Sequence, residues 1–150
     1  NFEMELIKKD IRVVYQTQSP HVKIISYPHL LEITLVALIE NAIHYSGPES
    51  QITIHLSSSD HWVKIQIQDQ GMGMDEEEME QIFERFYRAE KAQALYANGT
   101  GVGLALVDLC VKRLGGKIEV ESQVEQGTVF SIQLPENIRK YFTDPTAEGS

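Results

Sequence analysis

Only one cysteine, Cys110, occurs in 150 residues, which excludes an intrachain disulfide framework and suits a reducing compartment. Lying near Leu106, Val107 and Leu109, it reads as a small core residue rather than a reactive thiol. Basic residues are scarce as well: 13 Lys and Arg face 22 Asp and Glu, for a net charge of −9. So acidic a chain lacks the positive field that nonspecific nucleic-acid or anionic-membrane binding needs, and neither partner is expected. Long apolar runs are also missing. The longest, Leu30 to Ile43, is broken by Glu32, Glu40 and Asn41, so it reads as a globular helix and not a membrane span. No signal peptide and no internal repeat is visible. A cytoplasmic domain without direct membrane contact is expected.

What is present is enough for one folded domain. With 42% hydrophobic residues, a chain of this length can bury a core without metal or disulfide staples. It opens without methionine on residues 1–10, which read as the tail of a preceding helical segment, so a longer parent protein is expected. Residues 1–135 form the expected domain, and 136–150, polar with scattered aromatics, a peripheral or mobile tail. Ile11–Tyr15 reads as a strand. Pro28 and His29 open a helix of about four turns that ends near Ser46-Gly47-Pro48. Gln51–Leu56 and Trp62–Gln68 alternate apolar with polar and form a hairpin across Ser57–Asp60. Asp75 caps a further helix, with Glu78 as its capping-box partner, running to about Phe86; its acidic first turn complements the helix dipole. Gly101–Leu114 is helical and stopped by Gly115-Gly116. Two strands, Lys117–Ser122 and Thr128–Leu134, turn around Glu125-Gln126-Gly127. Hairpins dominate, so the fold class is α+β: a two-layer sandwich, its sheet mixed but mostly antiparallel, with helices on one face.

Three places carry chemistry. In Asn98–Leu106 three glycines (Gly99, Gly101, Gly103) lead straight into an apolar helix, a pattern that serves either as a plain cap or as a phosphate cradle of backbone N–H groups. On the first long helix, Leu31, Leu35, Leu38 and Ala42 form the apolar stripe, while Ala37, Asn41, His44 and Tyr45 share a different face. Polar groups there are costly to bury unless something polar meets them. The Asn41 carbonyl oxygen suits a hard cation such as Mg²⁺, which keeps waters and phosphate oxygens as its other ligands; capping a loop is the other use open to it. At Asp69-Gln70-Gly71-Met72-Gly73-Met74 an apolar strand ends in a carboxylate and a glycine-rich turn. That carboxylate accepts hydrogen bonds only, which matches an exocyclic amino group such as adenine's, but it equally suits a plain Asp-x-Gly turn.

Taken in order, four segments resemble the asparagine, first glycine, phenylalanine and second glycine boxes of bacterial sensor histidine kinases. They are Glu40–Ser46, Asp69–Met74, Ile82–Arg88 and Gly99–Leu106. Over about residues 10 to 135 the chain looks like the catalytic and ATP-binding domain of the Bergerat-fold superfamily, which also holds gyrase B and Hsp90. Phe83 and Phe86 point to the kinases within it.

The resemblance implies that Asn41 holds Mg²⁺ on the ATP phosphates and that Asp69 accepts the adenine amino group, with Thr128 at the same end of the pocket. It implies that Gly71 and Gly73 let the loop pass the base, with Met74 at the pocket edge, and that Tyr45 lies against the nucleotide. Arg88 matches an arginine brought to the γ-phosphate, and His44 sits where the family commonly has a lysine. Residues 89–98 would be the ATP lid, and Gly99, Thr100, Gly101, Val102, Gly103 and Leu104 would receive phosphates at its hinge and the following helix. The expected partners are ATP, a dimerisation and histidine-phosphotransfer domain of the same parent, and a downstream response regulator. None of His21, His29, His44, His55 and His61 sits in an acceptor-histidine context; His55 and His61 read as strand-edge surface residues. Three departures stand out: Ala37 where a second asparagine is common, His44 for lysine, and Tyr27-Pro28 for Asp-Pro, which touches only the cap. The first two keep two alternatives in view: an ATP-dependent protein-binding switch resembling anti-sigma-factor kinases, and a nucleotide-binding pseudokinase.

Overall fold

The computed structural model describes residues 2–18, 21–83 and 102–143. The first helix, α1 (Phe2–Lys9), ends in a left-handed Asp10 at φ 55°. There the Asp10 N–H reaches the Ile7 carbonyl at 3.2 Å and the Ile11 N–H the Leu6 carbonyl at 2.9 Å. That pair of bonds, with Leu6 and Ile11 both in the core, is a Schellman ending. Strand β1 (Arg12–Thr17) follows, then α2 (Pro28–Tyr45), whose 18 residues exceed the expected four turns by about one. Pro28 sits in its first turn, where a missing N–H costs nothing, and the Tyr27 side chain makes no cap hydrogen bond.

The remaining elements are β2 (Gln51–Ser59), β3 (Trp62–Gln68), α3 (Glu76–Gln81), α4 (Val102–Arg113), β4 (Lys117–Gln123), β5 (Gly127–Pro135) and α5 (Ile138–Thr143). Their five-stranded sheet has the order β1-β2-β3-β5-β4. Only β1·β2 is parallel, because α2 provides the crossover it needs; the other pairs are antiparallel. Alternation puts Ile52 and Ile54 of β2, Val63, Ile65 and Ile67 of β3, and Phe130, Ile132 and Leu134 of β5 on one buried face. α2 packs there against β3 and α4, and α4 against β4. The other face is polar, as in the Gln66–Ser131 side-chain bond at 3.1 Å.

Several expectations need correction. The β2–β3 connector is the two-residue Asp60-His61, not Ser57–Asp60: both have positive φ (53° and 69°), the signature of a type I′ turn, which prolongs β2 through Ser59. His61 therefore lies in a turn, and His55 on the polar face of an interior strand, neither at a strand edge. The buried stripe of α2 is Thr34, Leu38 and Ala42 with Ile43, while Leu31 and Leu35 are half-buried. Buried Thr34 is satisfied by donating to the Leu30 carbonyl at 2.8 Å. Packing also continues past residue 135: the Ile25 N–H donates to the Glu136 carbonyl, the Ile138 N–H donates to the Ile25 carbonyl, and Ile138 is buried. Cys110 is buried, as expected of a core residue.

Of the two left-handed turn residues, His61 carries the bulkier strained side chain. Replacing it with glycine should raise stability by about 0.5 kcal/mol in urea unfolding, because the removed strain exceeds the added unfolded-chain entropy.

Candidate functional site

The inner face of the sheet turns polar at one end. β3 runs Val63, Ile65, Ile67 and then Asp69; β5 begins with Thr128 ahead of Phe130; β4 runs Ile118, Val120 and then Ser122. Asp69 is 4% exposed and Thr128 7%. Three adjacent strands thus end their apolar stripes on groups that hydrogen-bond. The Asp69 N–H donates to the Thr128 carbonyl at 2.9 Å, which extends the β3–β5 ladder to the carboxylate. The Ser122 and Thr128 hydroxyls, register partners on β4 and β5, lie 2.8 Å apart. Since Ser122 also donates to the Gly127 carbonyl at 2.9 Å, its single proton is used and Thr128 is the donor between them. Sequence reasoning missed Ser122, although a serine at an inward position of an alternating strand was a readable signal.

From Asp69 the chain turns sharply. One carboxylate oxygen, Oδ1, accepts the Gly71 N–H at 2.8 Å. Gly71 then bridges to Ser46 just past the C-terminus of α2, the Met74 N–H donates to Ser122 Oγ at 2.8 Å, and the Glu125 N–H to the Met72 carbonyl at 2.6 Å. The loop is clamped between the end of α2 and the β4–β5 turn. Its glycines follow from this. A Cβ on Gly71 would strike the Tyr45 carbonyl, one on Gly73 (φ 67°) the Gln123 carbonyl, and one on Gly127 (φ 123°) the Asp69 carbonyl. The first need placed on Gly71 and Gly73 is therefore close approach of the protein's own backbone. Gly127 was not singled out from sequence, yet it lets the β4–β5 turn rest against Asp69.

The clamp delivers the end of α2 to the carboxylate. Ala37, Asn41, His44 and Tyr45 are all half-buried on that helix, as the helical spacing predicts. The Ser46 N–H and hydroxyl both donate to the Ala42 carbonyl, at 3.0 and 2.6 Å, closing the last turn. Met74 and Leu104 pack half-buried against the core, and Phe83 meets Phe130 edge-on with centroids 6.4 Å apart. Helix α4 starts at Val102, and a Cβ on Gly103 would meet nothing within 4 Å, so packing does not require glycine there. Arg88, Phe86, Gly99, Thr100, Gly101 and the expected lid 89–98 lie outside the described residues.

Two features bear on a bound nucleotide and cation. Asp69 is a buried acceptor with one oxygen already holding the Gly71 N–H, and its remaining acceptor capacity suits an amino group or a water. Among the described residues, no three His, Cys, Asp or Glu side chains cluster to hold a metal. A single neutral amide such as Asn41 fits a cation that takes its remaining oxygens from phosphate and water. No helix among the described residues is long and apolar enough to cross a membrane.

Burial pushes the Asp69 carboxyl up to about 6, against the pull of backbone hydrogen bonds at Gly71 and Thr128. The folded chain therefore binds this proton more tightly than the unfolded chain. Its stabilising contribution is complete below the ordinary carboxylate value of 3.8 and is lost as pH rises through about 6. Asp69→Asn, which keeps an acceptor for Gly71, should make the nucleotide-free domain more stable by on the order of 1–3 kcal/mol at about pH 8. In thermal melts across pH that gain should vanish as pH falls below 6.

Residues 27–138 match the family of histidine kinase-, DNA gyrase B-, and HSP90-like ATPases. The chain is 36% identical over 107 residues to the signal transduction histidine-protein kinase ArlS of Staphylococcus epidermidis, covering 71% of this chain and 24% of that protein. To the sensor histidine kinase RppB of Synechocystis it is 39% identical over 98 residues, 65% of this chain and 22% of that one. It thus spans about a quarter of the length of these curated relatives. The solved catalytic domain of histidine kinase ThkA superimposes with a TM-score of 0.80 at 26% identity, covering 93% of this chain and 88% of that one. With its mixed sheet, its clamped Asp69 loop and its asparagine helix, the chain belongs to the histidine kinase-, DNA gyrase B- and HSP90-like ATPase family and corresponds to the ATP-binding catalytic domain of sensor histidine kinases.

Proposed function

We propose that this domain positions Mg–ATP so that its γ-phosphoryl group passes to a histidine on a separate dimerisation domain of the same parent, upstream of a response regulator in the cytoplasm. The observation that carries the reading is the buried Asp69 carboxylate, held by Gly71 directly against the end of the helix that bears Asn41. In this reading Asp69 accepts the adenine amino group, and Thr128 lines the same end. Tyr45 and Met74 flank the nucleotide. Asn41 turns its amide oxygen to Mg²⁺, which, when bound, neutralises phosphate charge and fixes the phosphate chain. His44 and Arg88 face the γ-phosphate. Gly99, Thr100, Gly101, Val102, Gly103 and Leu104 contribute backbone N–H groups and the positive end of α4; the open space around Gly103 supports that approach.

Phosphoryl transfer asks the protein mainly to place and neutralise: the bond from the γ-phosphorus to the bridging oxygen breaks, ADP leaves, and a bond forms to an imidazole nitrogen. The acceptor histidine belongs to the partner domain, so this chain by itself binds nucleotide and phosphorylates nothing in itself. The kinase names of its relatives favour this reading over a protein-binding switch.

Calorimetry on the 150-residue chain should show saturable Mg–ATP binding; none up to millimolar nucleotide would overturn the reading. Asn41→Ala should weaken Mg–ATP by about tenfold or more, as loss of a metal-oriented contact does, while leaving Mg-free nucleotide unchanged. In the parent protein the same change should abolish histidine labelling. Because a protonated Asp69 no longer presents a full acceptor, adenosine affinity should fall as pH drops through about 6. A flat profile between pH 5 and 8, roughly the range spanning that titration, would remove Asp69 from adenine recognition.

A further inference from the structure

A second clamp on α2 comes from outside the recognised motifs. The last carbonyls of any helix lack intrahelical donors, and at the end of α2 they lie within one turn of Asn41. Ala42 is served by Ser46. The next ones are served by a distant side chain: Lys9 Nζ donates to the Ile43 carbonyl at 2.9 Å, the His44 carbonyl at 3.1 Å and the Ser46 carbonyl at 3.4 Å. An ammonium has three donors and a positive charge, which match three carbonyls at the negative end of a helix dipole. The Lys9 backbone is tied to the same corner, since its carbonyl accepts the Glu49 N–H at 2.8 Å. Its position is not loose either: the left-handed Asp10 and the core residues Leu6 and Ile11 lock the end of α1.

We infer that Lys9 is a positioning residue for the nucleotide site, holding the Asn41–Tyr45 turn so that the amide of Asn41 meets the metal–phosphate group. The inference rests on the reading of Asn41 above. Two contacts set that turn: Gly71 bridges to Ser46 from the loop after β3, and Lys9 caps it from α1. Removing the sheet contact would disturb adenine recognition through Asp69. The Lys9 ammonium bonds none of Asp69, Gly71 and Thr128 and meets the site through the end of the helix. Lys9 therefore acts on the metal–phosphate half of the site and not on the adenine half. It also links the helix that enters the domain to that half, so a tilt of α1 would be felt at Asn41.

The test uses the whole chain and three probes: adenosine, ATP with EDTA, and Mg–ATP. Wild-type binding of Mg–ATP comes first; its absence would overturn the functional reading and this inference with it. Lys9→Met should leave adenosine affinity within about twofold and weaken Mg–ATP by about tenfold, the scale of losing a supporting contact to a metal ligand. Lys9→Arg, which keeps charge and donors, should restore most of the difference. Equal losses for adenosine and Mg–ATP, or a lowered melting temperature with Mg–ATP binding unchanged, would show a fold staple and overturn the positioning role. If Lys9→Met fails to fold, Lys9→Gln, with an uncharged donor, takes its place: a loss confined to Mg–ATP supports the positioning role, and an equal loss for adenosine overturns it.

Discussion

The Gly71 N–H bound to the Asp69 carboxylate is the contact on which the site depends. It turns the chain back on itself at the end of an apolar strand, so a charge stays beneath a face built for hydrocarbon. The turn brings Gly71 against Ser46, and the register between sheet and long helix is fixed there. Everything nearby accommodates the loop. Gly73 and Gly127 admit backbone where a side chain would collide, and Ser122 accepts the Met74 N–H of the loop while donating to the Gly127 carbonyl. A buried carboxylate is costly, and it persists here because hydrogen bonds at Gly71 and Thr128 offset part of the desolvation.

The site is a junction of unlike parts. The sheet contributes a rigid acceptor, made by β-ladder geometry continued one residue beyond β3. The helix contributes side chains whose placement depends on how its last turn is finished. Asp69 is fixed by short backbone contacts, whereas the end of α2 is completed by a lysine reaching across from another helix. One half is set by the hairpins, the other by what precedes them.

Much of this was legible because it repeats with a period. Alternation in β3 and β5 gave the buried face, and the i, i+4 spacing of Ala37, Asn41 and Tyr45 placed them together as the helix does. Asp69 stood out as an acid ending an apolar strand. What stayed hidden has no period. A type I′ turn at Asp60-His61 carries neither asparagine nor glycine, so the first strand of the hairpin read three residues too short. Lys9 is one charged residue among several, and only tertiary geometry takes it to carbonyls more than thirty positions away. Thr34 can join the core because its hydroxyl finds an acceptor one turn back in its own helix. Ile138 lies past the last strand, next to a backbone bridge between Ile25 and Asn137 that local sequence does not encode.

The parallel pairing of β1 with β2 has a consequence for the order of assembly. The β2–β3 and β4–β5 hairpins close over short turns, whereas Arg12 meets Gln51 only after α2 has crossed over between them. Joining β3 to β5 closes a longer loop still, and only that pairing brings Thr128 to Asp69; closing either loop costs more chain entropy than closing a hairpin, so the hairpins can form before either half of the site is complete. Pairing of β1 then carries the end of α1 into place. The half of the site built on Asp69 waits for β3 to meet β5; the half built on the end of α2 waits for β1 to meet β2.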